Sequence, residues 1–234
     1  MADQTCRHCG QTGNGKYCSQ CGQSYTTKRL TLHAIIHEVF HFFTHVDKGF
    51  FYTLRMLALQ PGKMQKGYID GHRVKHQKPF SMFFVCGSVT AFALYLIHKP
   101  SGEMTNFDEA MADFRRHYYV LLQAALLPLY ALVTWLLFRN NKINYAESLV
   151  YFAYTLSFML LLVIFTNVFD KLTQGRFPTW YIEMPVLLGY LLWTNFRFFP
   201  SEKWWANILK TVISISVSYY ISNYLSDLAV THLI

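Results

Sequence analysis

The sequence predicts an all-α membrane protein: a helical bundle of about five transmembrane helices, preceded by a small cysteine knuckle and an interfacial amphipathic helix. Three observations carry this. The 234 residues are 53% hydrophobic and only 15% charged, where a soluble domain carries about a quarter charged residues. Five apolar windows follow residue 78, each near the roughly 20 residues that cross a bilayer as a helix. Two CxxC pairs stand at the start of the chain. The composition excludes a disordered chain and argues against an ordinary soluble globule. The chain divides into residues 1–29 (knuckle), 30–78 (basic juxtamembrane segment) and 79–234 (bundle).

The windows cover about residues 79–98, 118–138, 146–169, 180–199 and 204–228. The fourth is the weakest because it holds Pro185 and Gly189. Residues 1–29 have no apolar core segment, so no signal peptide is expected. With five spans, fifteen Lys and Arg fall on the N-terminal side and five on the other. That asymmetry places the N-terminus in the cytoplasm and the C-terminus outside. Residues 1–78 hold eleven Lys and Arg against four acids. Such an arm is drawn to anionic headgroups, by about 1 kcal/mol per basic residue near the surface. Nucleic acid would attract the same charges. The arm has no reading motif and is tethered to a membrane, so lipid headgroups are the expected partner and nucleic acid is disfavoured.

Cys6 and Cys9 form one CxxC pair, Cys18 and Cys21 the other, and Gly10 and Gly22 follow them. Four thiolates at this spacing suit tetrahedral Zn²⁺. A glycine after each second cysteine lets the chain turn back with backbone N–H groups facing sulfur. Cytosolic placement disfavours disulfides, and no thioredoxin-like βαβ pattern surrounds the pairs. A site closed by four cysteines has no open position, so the zinc is expected to be structural. Cys86 lies alone in the first span and reads as a small hydrophobe.

Residues 30–59 have helical period. Leu32, Ile35, Ile36, Val39, Phe43, Val46, Phe50, Leu54 and Leu57 fall on one stripe, opposite His33, His37, His41 and His45 with Lys48 and Arg55. A basic amphipathic helix beside a first span is expected to lie flat in the interface. Gly49 is a point where it would break, Pro61-Gly62 ends it, and residues 61–70 read as a further short helix. Histidines at i and i+4 share a helix face and suit metal chelation. Four at that spacing drift by about 120° overall, so they cannot all reach one ion from one helix. A solvated or headgroup-facing polar face is the favoured reading; a metal set of His37, His41 and Glu38 is the alternative.

The spans carry no ionisable group at their middle, where transporters and channels place them. Gln123, Ser157, Asn167, Asn195 and Asn223 are read as hydrogen-bonding between helices. Ser214, Ser218, Ser222 and Ser226 repeat at spacing four in the fifth span. The stripe is read first as packing within the bundle, with a homo-oligomer face or a polar passage as alternatives. Trp204-Trp205, Trp180-Tyr181 and Tyr118-Tyr119 mark span ends as interfacial anchors. Walker, GxSxG and GxGxxG motifs are absent from the sequence.

The two CxxCG units, joined to the stretch from His37 to Phe84, resemble the bacterial membrane proteins grouped as domain of unknown function 3667. The matching positions are Asp47, Gly49, Phe50, Thr53, Leu54, Pro61, Gly62, Tyr68, Gly71, Arg73, Pro79 and Phe80, with Glu147 and Arg197 further on. One departure is Ser148, where the family pattern has His after the Glu. The resemblance implies a double-CxxCG zinc ribbon, four or five spans and a bacterial cytoplasmic membrane. It supplies no reaction.

Three functions follow, in order. The first is a non-enzymatic binding, scaffold or regulatory module, with a protein partner at the knuckle and spans that anchor or oligomerise it. The second is a membrane-embedded enzyme of lipid or envelope metabolism. It would use His37, His41, Asp47, Tyr68, Arg73, Lys75 and Glu147 along the cytoplasmic interface, with Arg73, Lys75 and Lys78 holding a phosphate headgroup. The third is a small transporter with the serine stripe lining its path.

Overall fold

The structure is a computed structural model that describes residues 4–26, 29–40, 49–98, 118–174 and 180–233. It opens with a two-stranded antiparallel hairpin, β1 (Gln4–Thr5) and β2 (Thr12–Gly13). Eight helices follow among the described residues: α1 (Leu32–Phe40), α2 (Phe50–Leu59), α3 (Pro61–Asp70), α4 (Pro79–Ile97), α5 (Tyr119–Phe138), α6 (Tyr145–Leu172), α7 (Trp180–Phe198) and α8 (Trp204–Leu233).

Three of these helical stretches are long and apolar enough to cross a membrane: Pro79–Ile97, Tyr119–Asn141 and Tyr145–Leu172. The sequence expectation was five. α7 and α8 have the length, at 19 and 30 residues. They fall short in apolarity because α7 carries Glu183, Pro185, Asn195 and Arg197, and α8 carries Lys210, the serine stripe, Asn223 and Asp227. Both nevertheless pack alongside the apolar helices through side-chain hydrogen bonds. Tyr151 Oη donates to Asn195 Oδ1 at 2.7 Å, Asn195 Nδ2 donates to Thr211 Oγ1 at 2.8 Å, and Thr134 and Ser214 hydroxyls meet at 3.1 Å. Of the five interior polar residues singled out, Asn195 bridges helices this way, and Asn167 takes His98 at 2.8 Å. Ser157 and Asn223 bond back to carbonyls of their own helices.

α6 is the hub. It is buried over most of its length, with Tyr151, Tyr154, Val150 and Leu160 almost wholly enclosed. Its start is fixed by a capping box: Asn144 Oδ1 accepts from the Glu147 N–H at 2.7 Å, and Glu147 Oε2 accepts from the Asn144 N–H at 2.8 Å. α4 lies along α6, with Thr90 Oγ1 donating to the Leu160 carbonyl at 3.0 Å. Stacked rings join the remaining elements, Phe138 on Phe199 at 4.2 Å and Phe158 on Tyr190 at 4.9 Å.

Gly49, where the sequence allows a break, is the N-cap of α2; residues 41–48 between it and α1 lie outside the described residues. Gly49 is closely packed: a Cβ there would stand 2.6 Å from the Lys75 carbonyl oxygen and 3.0 Å from Gln77 N. The apolar stripe holds in α2, where Leu57 is buried and Phe50 and Leu54 pack on the core, but Leu32 and Ile36 of α1 stay half exposed. The short helix expected at 61–70 is present as α3, with Pro61 at its first position and Gly71 ending it at φ +114°. Neither α2 nor α3 stands apart from the bundle. Leu57, Met64 and Tyr68 share one core with Phe83, Tyr154, Phe198 and Phe199.

Candidate metal centre and the seam that docks it

The two CxxC turns are near copies of each other. Gly10 N donates to the Cys6 carbonyl at 2.9 Å, and Gly22 N donates to the Cys18 carbonyl at 2.8 Å. Both glycines are left-handed, at φ +77° and +76°, a conformation that a side chain there would strain. Cys6 N donates to the Gln11 carbonyl at 2.9 Å, and Cys18 N to the Gln23 carbonyl at 2.8 Å, closing each loop on itself. The turns bring all four sulfurs within 4.8 Å of one another. Cys6 and Cys21 stand 3.6 Å apart, Cys9 and Cys18 3.5 Å. A regular tetrahedron with ~2.3 Å metal–sulfur bonds has edges of about 3.8 Å, so this donor set fits one thiophilic ion. Backbone N–H groups of Cys9 and His8 hold the Cys6 thiol below its ordinary value, against burial. Burial pushes the Cys18 thiol up, but the N–H groups of Cys21 and Gln20 outweigh it and bring it down to about 6. The Gln11 and Gln23 N–H groups pull Cys9 and Cys21 down, but burial and the neighbouring thiols outweigh them and push both up, so the negative charge of the metal-binding thiolate form gathers on Cys6 and Cys18. Tyr25 packs on Cys6 and Cys18 from inside.

The knuckle is seated on the bundle. Gln23, 5% exposed, donates from Nε2 to the Gly71 carbonyl at 2.6 Å, and its Oε1 accepts from Arg73 N at 3.4 Å. The His8 and His72 rings meet edge to face at 6.0 Å. A second tie crosses to α6. Arg29 grips Glu147 in a two-pronged pair, Nε to Oε1 at 2.7 Å and Nη2 to Oε2 at 3.0 Å, and Nη2 also donates to the Lys142 carbonyl at 2.8 Å. Asn144 Nδ2 donates to the Leu30 carbonyl at 3.0 Å beside it.

The other residues singled out from the sequence are divided by the fold. Tyr68 is buried against the edge of Tyr154, ring to ring at 5.4 Å. Arg73 lies over the Tyr68 ring at 5.5 Å and donates to the Tyr68 carbonyl at 3.1 Å. Lys75 is exposed. Glu147 is on the Arg29 side, where a cleft of about 480 Å³ also takes in Arg7, Lys66 and Lys142. His41, His45 and Asp47 lie outside the described residues, and of His37 and Glu38 only the backbone in α1 is described. His33 is exposed.

Sequence reasoning missed the polar layer beneath the seam. Thr53 Oγ1 accepts from Gln77 N at 2.8 Å, Gln77 Nε2 donates to Ser81 at 2.6 Å, Tyr154 Oη donates to the Gln77 carbonyl at 2.6 Å, and Gln65 Nε2 donates to Thr155 at 3.2 Å. Gln65 and Gln77 are fully buried. Gln65 has one sequence signal, a helix position that period 3.6 turns inward; Gln77 lies in the loop before α4, where no period marks it. Arg29 was equally missed; it is the last cation before the apolar stripe.

Residues 47–91 match the model of a family described as protein of unknown function (DUF3667). No curated protein and no solved structure matches the chain. The matched stretch is α2, α3, the lead-in loop and the first two-thirds of α4. Its described motif residues make contacts of the fold: Gly49 against the loop, Thr53 on Gln77, Gly62 against α7, Tyr68 on Tyr154, and Gly71 under Gln23.

Proposed function

We propose that this chain, with its DUF3667 match over residues 47–91, is a multi-pass binding or scaffold module of a bacterial cytoplasmic membrane. It crosses five times, with α7 and α8 as the fourth and fifth spans, its N-terminus in the cytoplasm and its C-terminus outside. The Lys/Arg asymmetry supports that orientation. The exposed aromatic ends of the later helices, Tyr181, Trp204 and Trp205, support span ends there. Cys6, Cys9, Cys18 and Cys21 hold one structural Zn²⁺, which makes the short hairpin rigid enough to present a surface. Tyr17, 59% exposed with the Lys16 ammonium 5.7 Å from its ring, belongs to the face turned toward a protein partner. The basic cytoplasmic arm attracts anionic headgroups.

The observation that carries this reading is the seam itself. A closed four-sulfur set is held against the bundle at two points, by Gln23 on Gly71 and by Arg29 on Glu147. That is a mount for a recognition head. The alternative, a lipid or envelope enzyme, needs Glu147 and Tyr68 free to act. Glu147 is instead engaged by Arg29 and by its own helix cap, and Tyr68 is roofed by Arg73.

Elemental mass spectrometry on the purified full chain tests the proposal. Wild type should carry one zinc per chain, Cys18→Ser should lose it, and a His37→Ala/His41→Ala double variant should keep it. Metal that departs with the histidines would overturn the structural knuckle and favour the enzyme. Protease access to an N-terminal tag tests the topology; digestion in intact spheroplasts would refute a cytoplasmic N-terminus.

A further inference from the structure

A second cavity, of about 290 Å³, lies inside the helical bundle between α5, α6, α7 and α8. Most of its wall is apolar. Tyr119, Tyr130, Phe152 and Tyr219 contribute aromatic rings, and Ser218 and Ser222 of the serine stripe form one side. Ser214, Ser218 and Ser222 of the stripe therefore turn toward this space. A single carboxylate enters it. Glu183, in the first turn of α7, accepts from Thr166 Oγ1 at 2.7 Å. The described lining residues include no Lys, Arg or His. Among the described residues no cation stands within ion-pair distance of Glu183.

Glu183 is half-buried at the start of α7, and a carboxylate turned toward an apolar wall favours a cation beside it. The walls narrow the kind of cation. Aromatic faces attract cations through their quadrupoles, most strongly where water is excluded. A divalent metal ion would find a single carboxylate, the other oxygens of the described lining being neutral hydroxyls and amides. A lipid chain would fill the apolar wall and leave the charge unanswered. We infer that this cavity binds a small organic cation with an apolar body, of the quaternary ammonium type, its charge against Glu183 and its body among the rings. The inference does not rest on the zinc knuckle, which lies outside this cavity.

The test uses the full chain in lipid nanodiscs and radiolabelled benzyltrimethylammonium, with empty nanodiscs subtracted. Binding should saturate at one per chain. Glu183→Gln keeps an acceptor for Thr166 but removes the charge, and should weaken binding by about tenfold or more. Ser218→Phe fills the cavity and should abolish binding, with thermal stability near wild type showing that the bundle is intact. Neopentylbenzene, the same shape without charge, should not compete. Equal affinity in Glu183→Gln, full competition by neopentylbenzene, or no saturable binding to wild type would each overturn the cation site. The first two would make it an apolar slot for a lipid chain.

Discussion

Gly62 is where α3 meets α7, and it offers a sharp test of the fold that carries the seam. A Cβ built there would run into the Thr194 carbonyl oxygen and stand 2.8 Å from both Arg197 Cβ and Phe198 N. Two of those atoms are backbone, so no rotamer change relieves the contact and α7 must move away. Overpacking of this kind costs about 1–3 kcal/mol, less whatever the helix gains from alanine, up to about 1 kcal/mol in an interior position. Gly67 is the control on the same helix. A Cβ there meets only His72 Nδ1 at 3.8 Å, an ordinary contact. Gly67→Ala should stabilise by about 0.5–1 kcal/mol, while Gly62→Ala destabilises by roughly 1–2 kcal/mol. For a chain of this size ~1 kcal/mol shifts Tm by about 2–4 °C. The two variants should therefore melt about 3–12 °C apart when unfolding is followed by tryptophan fluorescence in detergent. Equal melting temperatures would mean that α3 does not rest on α7, and the seam built on α3 would fall with that contact.

Three further outcomes follow from the same geometry. Glu147 is almost fully buried and Arg29 largely exposed, with side-chain exposures of 6% and 61%. Arg29→Ala leaves that carboxylate short of its charged partner and should cost about 1–2 kcal/mol, whereas Arg29→Met with Glu147→Gln should be nearly neutral; an additive double variant in thermal melts would show the pair to be uncoupled. Burial, helped by His8 and His72, holds the His76 imidazole down at about 4, below its ordinary 6.5. The unfolded chain then takes up a proton between pH 6.5 and 4 that the folded chain refuses, so this contribution is complete above pH 6.5 and lost as the pH falls through that window. Discounted for partial solvent access it amounts to about 1–2 kcal/mol, and an acid limb of the Tm profile unchanged in His76→Phe would refute it. Asn195→Leu severs the side-chain bonds to Tyr151 and Thr211, while Asn207 Nδ2 keeps the backbone carbonyl of residue 195. At about 0.6 kcal/mol per bond between membrane helices, it should cost roughly 1–2 kcal/mol in unfolding titrations; a neutral result would put α7 elsewhere than beside α8.

Local chemistry determined much of this protein from sequence alone. The CxxCG turns close through hydrogen bonds within five residues of each cysteine, so their spacing already fixed a four-sulfur cluster. Apolar runs fixed α4, α5 and α6, because a bilayer-length hydrophobic stretch has few other uses. Gly49, Pro61 and Gly71 announced the ends of α2 and α3, since backbone freedom and the missing proline N–H act within a turn. The tertiary structure decided what no local rule reaches. Arg29 finds Glu147 across 118 residues, and Gln23 finds Gly71 across 48. The inward face of the serine stripe, the aromatic cavity around Glu183 and the engagement of Tyr68 all depend on which helix lies beside which. Periodicity tells which face of a helix is apolar. It does not tell which neighbour that face will meet, because in a bundle of similar apolar surfaces the choice rests on a few long-range polar contacts and on where a glycine lets two backbones touch.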